Sequence, residues 1–418
     1  MTNVTLDEAV KSGAIELGRG NIISTGDMAA FPGSYPVYSS SAKGSGEFGR
    51  YGRFMFDEPL ITWSVDGGGR FFFRPKHKYS VTNVCGYMRV KGDNWDKRYV
   101  YYSLDHQHGR LSFDYQSKAH PSVIRRIYTL NPLPKTEQSK IAEVLSTVDR
   151  AIAQTEALIA KQQRIKTGLM QDLLTRGIDE HGQLRSEATH AFKDSPLGRI
   201  PVEWEVKSLG AALDAAKGYL QTGPFGSQLH AHEYTHVGVP VVMPQDILQG
   251  LVSTAIIARI PEARAHDLRR HRVIENDIVF SRRGDLSRAA AIGEREIGWL
   301  CGTGCFLLRV PPNNMSASWL AHLYRHRWIQ RQIETNAVGS TMPSLNNGVM
   351  AQLVVPFPAI DEQRNIANRI DAMDAETELL ETQRSKQQSL KTALMQDLLT
   401  GKVRVTPLLQ QAEEAASA

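Results

Sequence analysis

The sequence predicts an α+β protein: two globular α/β domains separated by two long helices, which pair as an antiparallel coiled coil in a pseudo-twofold tandem duplication. Three observations carry this. The decapeptide "KTGLMQDLLT" at 166–175 returns as "KTALMQDLLT" at 391–400 with a single substitution. Around it, residues 137–175 align with 362–400 without a gap, and 18 of 39 positions are identical. Outside these copies, apolar residues fall into short β-rich runs rather than at helical spacing.

Residues 1–134 form the first globular domain. "PLITWSV" (59–65) is a strand-like run of aromatic and β-branched residues, closed by the glycine turn "VDGGGR" (65–70). A helical region follows at 135–178. Pro132 and Pro134 fix where the helix can begin, as Pro356 and Pro358 do for the second copy, because proline disfavours helix in the residue before it. Thr136 and Asp361 then stand where N-caps belong, and Glu137-Gln138 and Glu362-Gln363 set negative charge against the positive end of the helix dipole.

Within the first copy Ile141, Leu145, Val148, Ile152, Ile159, Leu169 and Leu173 make an apolar stripe at coiled-coil period. Ile366, Ile370, Met373, Leu380, Leu390, Leu394 and Leu398 do the same in the second. Some 40 residues without proline span roughly 60 Å at 1.5 Å per residue. A helix that long with one apolar stripe must bury it, and the sister copy is the obvious partner. A polar linker occupies 179–200 and ends at Gly-x-Ile-Pro. The second globular domain, 201–357, holds "VPVVMP" (239–244), "DIVFS" (277–281) and "CFLLRV" (305–310), again as strands between glycine turns such as "RRGD" (282–285). The second helical region is 358–402, and 403–418 is a tail.

At 418 residues the chain is too long for one core. Its 41% hydrophobic and 22% charged content is ordinary for a globular protein. No apolar run reaches the roughly 20 residues needed to span a bilayer, and "MTNVTLDEAVKSG" lacks a signal-peptide pattern, so a cytoplasmic protein with no membrane partner is expected. Cys85, Cys301 and Cys305 fit a reducing compartment. The C-x3-C spacing of the last two has no second ligand pair, so small buried strand residues are expected rather than zinc.

A search for catalytic chemistry returns little. "LNPLP" (130–134) lacks the adjacent second proline and the aromatic with which amino-methyltransferases hold a flipped adenine. The glycines at 67–69 are not followed by Lys-Ser/Thr, which excludes a P-loop. "HAHEY" (230–234) offers no visible third metal ligand. What stands out is basic charge. Forty-nine basic residues against 44 acidic give +5, and the pI is near 9.0. The charge concentrates in "RFFFRPKHK" (70–78) and in "RRHR" (269–272) with "SRRGDLSR" (281–288), one concentration per globular domain. Two basic, loop-rich domains on a helical spacer suit a bipartite DNA target with an unread gap.

The chain resembles the DNA-specificity subunit of Type I restriction–modification systems over nearly its whole length. The residues carrying the resemblance are "LPKTEQSKIAEVL" with "KQQRIKTGLMQDLLTRGI", and "FPAIDEQRNIANRI" with "KQQSLKTALMQDLLTGKVRV". "GRIPVEWEVKSLG" (198–210) matches the opening of the second recognition domain, and "GPFGSQL" (223–229), "DIVFSRRGDLSRAA" (277–290), "GTGCFLLRV" (302–310) and "GSTMPSLN" (339–346) resemble its internal blocks.

The resemblance implies a subunit with no catalysis of its own that reads double-stranded DNA, one half-site per recognition domain. It also implies two modification subunits that methylate adenine, and ATP-driven restriction subunits that complete the endonuclease. S-adenosylmethionine, ATP and magnesium would sit on those partners and none on this chain. Candidate DNA contacts are Lys43, Arg70, Arg74, Lys76 and Lys78 in the first domain. In the second they are Gln228, Arg282, Arg283, Ser340, Thr341 and Asn346, in glycine-flanked loops where amides, hydroxyls and guanidiniums can meet phosphates or base edges. The alternative is a stand-alone DNA-binding coiled-coil scaffold or regulator without a methylation partner.

Overall fold

The computed structural model describes residues 3–41, 44–66, 68–111, 118–248, 250–337 and 344–417. Two compact units emerge, Met1–Leu158 with Leu380–Ala418, and Ile159–Leu379. Each unit takes one globular stretch and a part of both long helices.

The first unit holds strands β1 (Ile15–Arg19), β2 (Tyr35–Tyr38), β3 (Glu47–Tyr51), β4 (Phe56–Asp57), β5 (Leu60–Ser64), β6 (Phe71–Arg74), β7 (Lys78–Val81) and β8 (Cys85–Val90). One sheet is antiparallel throughout, in the order β1-β8-β5-β6; the other runs β3-β2-β7-β4, with β2 and β7 parallel. In the first sheet Trp63 lies opposite Gly86, where a Cβ would come within 2.2 Å of the indole. Only glycine lets the ring lie there. The indole N–H donates to the Ala119 carbonyl at 2.7 Å, so burying Trp63 leaves no polar atom unpaired.

The second unit holds β9 (Tyr219–Thr222), β10 (Val239–Val242), β11 (Ala258–Ile260), β12 (Ile278–Ser281), β13 (Ala289–Ala291), β14 (Leu300–Cys301) and β15 (Cys305–Arg309). Its sheets run β9-β15-β12-β13, all antiparallel, and β11-β10-β14, with β10 and β14 parallel. In both units the four-stranded antiparallel sheet puts its first strand beside its last, and the second sheet carries one parallel pair. A short pair closes each globule: Val4–Thr5 on Thr129–Leu130, and Glu205–Ser208 on Val354–Phe357. The duplication therefore extends into globular stretches whose sequences do not display it.

The long helices run Lys135–Arg176 and Ile360–Leu399. Each begins one residue before the expected cap, so Thr136 and Asp361 lie in the first turn. The reason is tertiary. Gln138 and Gln363, both buried, donate from Nε2 back to the Leu133 and Pro358 carbonyls at 2.8 and 2.9 Å. Their Oε1 atoms accept the Asp96 and Ser316 backbone N–H groups at 2.8 and 3.0 Å. The entry is fastened to the globule, and no side-chain cap is needed.

Within each unit the helical segments are antiparallel. In the first, Asp149 pairs with Lys391 at 2.8 Å, Thr155 donates to Gln387 at 3.1 Å, and Glu137 accepts from Arg404 at 2.8 Å. In the second, Lys166 pairs with Asp374 and Arg185 with Glu362. These ion pairs repeat: Asp149 and Asp374, Lys166 and Lys391, Glu137 and Glu362 are each 225 positions apart.

The apolar stripe departs from expectation at one position, Leu390; its other residues are buried or half-buried. Its buried ends join the globular cores: Ile141, Leu145 and Leu398 in the first unit, Leu173, Ile366 and Ile370 in the second. Leu390 is 51% exposed instead of buried in a seam, and Ile165, its counterpart 225 residues earlier, is 46% exposed. No helix among the described residues is long and apolar enough to cross a membrane. Cys85, Cys301 and Cys305 are free and buried in strands, and burial pushes the Cys85 thiol up to about 12.

Candidate nucleic-acid interface

In the first unit the hairpin β5–β6 and the turn into β7 carry the basic run. Strand β6 points Phe71 and Arg74 inward and leaves Phe72 and Phe73 half-buried. Arg74 is buried: Nε donates to Thr62 Oγ1 at 2.9 Å, and the guanidinium lies 3.6 Å over Tyr38 and 4.7 Å from Phe72. Desolvation holds its pKa below the usual arginine value. In this position Arg74 braces the two sheets. Arg70 is exposed, 5.2 Å from the Phe72 ring, and Lys76 and Lys78 are exposed beyond β6. Lys43 lies outside the described residues.

In the second unit three segments far apart in sequence converge. Arg282, directly after β12, donates its backbone N–H to Gly304 at 2.8 Å and accepts from Leu345 at 3.0 Å. Its guanidinium lies 5.6 Å from Phe225, and Arg283 bridges to Ser344. Arg282 Nε is buried with no hydrogen-bond partner among the described residues, and burial together with neighbouring Arg283 lowers its pKa. Arg283 is exposed at a turn made by Gly284, φ 76°.

Gln228 and Asn346 also do local work. Gln228 Oε1 accepts the Phe225 N–H at 3.0 Å, and Asn346 caps a helix by accepting the Val349 N–H at 2.9 Å. Ser340 and Thr341 lie outside the described residues. Sequence reasoning missed Phe225, 51% exposed; the signal available was a phenylalanine set between Gly223-Pro224 and Gly226, where a core residue would be out of place.

One cluster among the described residues has metal-ligand spacing: His322, Asp371 and Asp374. Its polar atoms already have partners. His322 Nε2 lies 2.6 Å from Asp371, its Nδ1 accepts from Arg325 at 2.7 Å, and Lys166 neutralises Asp374. With both ring nitrogens engaged and burial holding the imidazole neutral, no lone pair is left for a metal. His230 and His232 stack at 5.5 Å, while the neighbouring Glu233 is committed to Arg264.

Residues 12–163 and 201–388 match the family described as "Type I restriction modification DNA specificity domain". The chain is 25% identical over 362 residues to the Type I restriction enzyme MjaVIII specificity subunit of Methanocaldococcus jannaschii, covering 84% of this chain and 80% of that protein. It is 27% identical over 327 residues to the putative MjaX specificity subunit of the same organism, covering 76% and 71%. The fold is similar to the crystal structure of a Type-I restriction-modification system S subunit from M. genitalium: TM-score 0.64 at 17% identity, over 95% of this chain and 96% of that one. With two matched stretches that together take in most of its length, each ending inside a long helix, the chain belongs to the Type I restriction modification DNA specificity domain family.

Proposed function

We propose that this protein is the DNA-recognition subunit of a Type I restriction–modification complex. It reads a bipartite double-stranded target, one half-site per unit, and scaffolds two modification subunits and the ATP-dependent restriction subunits. The observation that carries the reading is the internal duplication of fold and ion pairs within one chain. A partner that methylates both half-sites needs two like docking sites, and a repeat supplies them. Ile165 and Leu390 support this: they hold the same repeat position, and both are exposed. Chemistry falls to the partners, which would carry S-adenosylmethionine, ATP and magnesium.

In this reading Arg70, Lys76 and Lys78 in the first unit, and Arg282 and Arg283 with Gln228 and Asn346 in the second, face DNA; Lys43, Ser340 and Thr341 remain candidates from sequence. Methylome sequencing of cells expressing the complex tests it. One gapped motif with adenine methylation in both half-sites is the expected result. Purification of the chain with no modification subunit attached would instead favour a stand-alone scaffold or regulator.

A further inference from the structure

Phe31 and Phe54 are 45% and 43% exposed at the edge of the β3-β2-β7-β4 sheet, and no motif in the sequence drew attention to them. They belong to a ladder of two ring pairs on adjacent strands. Arg53 lies 3.9 Å over Phe31, and Phe31 meets Tyr51 edge-on at 6.3 Å. Tyr51 is the cross-strand partner of Tyr35, which meets Phe54 at 5.2 Å, and Lys78 lies 4.9 Å from Phe54. Two ring pairs, brought side by side by the Tyr35–Tyr51 strand register, thus carry a cation each, and Lys78 also lies 5.9 Å from Tyr35.

The ladder is held in place. Gly52 donates its N–H to the Phe31 carbonyl at 2.8 Å, and a Cβ on Gly33 would come within 2.3 Å of Gly52 Cα, so only glycine permits this approach. Tyr38, Tyr79 and Val81 are buried behind the sheet. The patch keeps an excess of positive charge, although exposed Asp57 of β4 stands opposite Lys78 across the strand pair. Glu47 is paired with Arg50 and Glu58 with Arg89, whereas no ion pair holds Arg53, Lys76 or Lys78 among the described residues.

Exposed rings flanked by unpaired cations match a polyanion with apolar surface between its charges. Duplex DNA is that: sugars and base edges between phosphates. We propose that the Arg53–Phe31–Tyr51–Tyr35–Phe54–Lys78 ladder is the face by which the first unit grips its half-site. Phe31 and Phe54 pack on sugars and base edges, and Arg53 and Lys78 take phosphates on either side. The proposal rests on the DNA-recognition reading above and adds to it the residues that supply salt-independent affinity.

The test uses the full complex and a duplex carrying the motif found by methylome sequencing, against the same duplex with the first half-site scrambled. Phe31→Ala with Phe54→Ala should weaken binding at least about 10-fold at every salt concentration, leaving the slope of log affinity against log salt unchanged. Arg53→Gln with Lys78→Gln should lower that slope by up to about 1.8, at roughly 0.9 per phosphate. If the alanine pair melts early, Phe31→Gln with Phe54→Gln keeps much of the bulk while removing the apolar faces, and its loss of binding decides. Wild-type affinity and slope in both pairs overturn the proposal. So does loss of a co-purifying subunit, which would make the ladder a protein contact. A wild-type complex that does not prefer the intact duplex sinks the DNA-recognition reading itself, and the two failures are therefore distinct.

Discussion

Arg74 and Arg283 show how little a basic residue's neighbourhood in sequence says about its role. Both sit in runs of positive charge, yet one braces two sheets and the other projects from a turn. Replacing Arg74 by Ala strands the Thr62 hydroxyl and removes the cation over Tyr38, so it should cost on the order of 1–3 kcal/mol of stability, read by denaturant melts. The salt slope of DNA binding should stay unchanged. Arg282→Ala with Arg283→Ala should do the reverse, lowering the slope by up to about two phosphate equivalents. An unaltered slope there removes both from the interface.

His326 gives a pH prediction. Its Nε2 meets Gln171 Oε1 at 3.0 Å and its Nδ1 accepts the Trp328 N–H at 3.3 Å, so the neutral ring is fully satisfied. Burial, with Arg327 adding to it, pushes its pKa from 6.5 down to about 4. The folded state therefore takes its proton later than the unfolded chain. Stability from this residue is complete above pH 6.5 and falls as pH drops toward 4, by up to about 1.4 kcal/mol per pH unit. His326→Gln should flatten the acid side of the stability profile by about one proton; an unchanged profile would mean that the ring takes up its proton at the same pH in the folded and unfolded chain.

At the scale of the element, the long helices are fastened at their ends and joined by charge between them. Ile141 and Leu145, or Ile366 and Ile370, are lost in globular cores, while Asp149–Lys391 and Lys166–Asp374 tie helix to helix. This leaves Ile165 and Leu390 outward. Covering such a side chain stabilises a complex by about 1.5–3 kcal/mol, so a charge placed there should weaken docking 10-fold or more. Ile165→Lys or Leu390→Lys alone should leave one modification subunit per chain, and the double variant none, as measured by native mass spectrometry. Two bound subunits in the double variant would place the docking surface elsewhere.

For the whole molecule, the prediction concerns spacing. If the paired helices set the gap between half-sites, four residues inserted after Ile159 add about 6 Å. DNA advances about 3.4 Å per base pair, so the unread gap should widen by one or two pairs with both half-sites unchanged. The insertion also turns the helix by roughly 40° beyond a full turn, so some affinity should go. The methylated motif, read genome-wide before and after, decides. The original gap at full activity would exclude the helices as the ruler.

The sequence alone determined the tandem repeat, its helical period, the family and the strand runs, which recur as β5, β10, β12 and β15. These are legible because identity between copies, apolar period and β-branched runs are local properties of the chain. Only the tertiary structure decided where the helices start, since Gln138 and Gln363 are held by residues 42 and 47 positions away. It alone showed that the globular stretches repeat each other's sheet order, because hydrogen-bonded register can be shared by sequences with different side chains. It alone buried Arg74, exposed Leu390, and set Phe225 beside Arg282 and Phe31 beneath Arg53. Burial and proximity come from contacts between residues distant along the chain, and composition and periodicity carry no information about those.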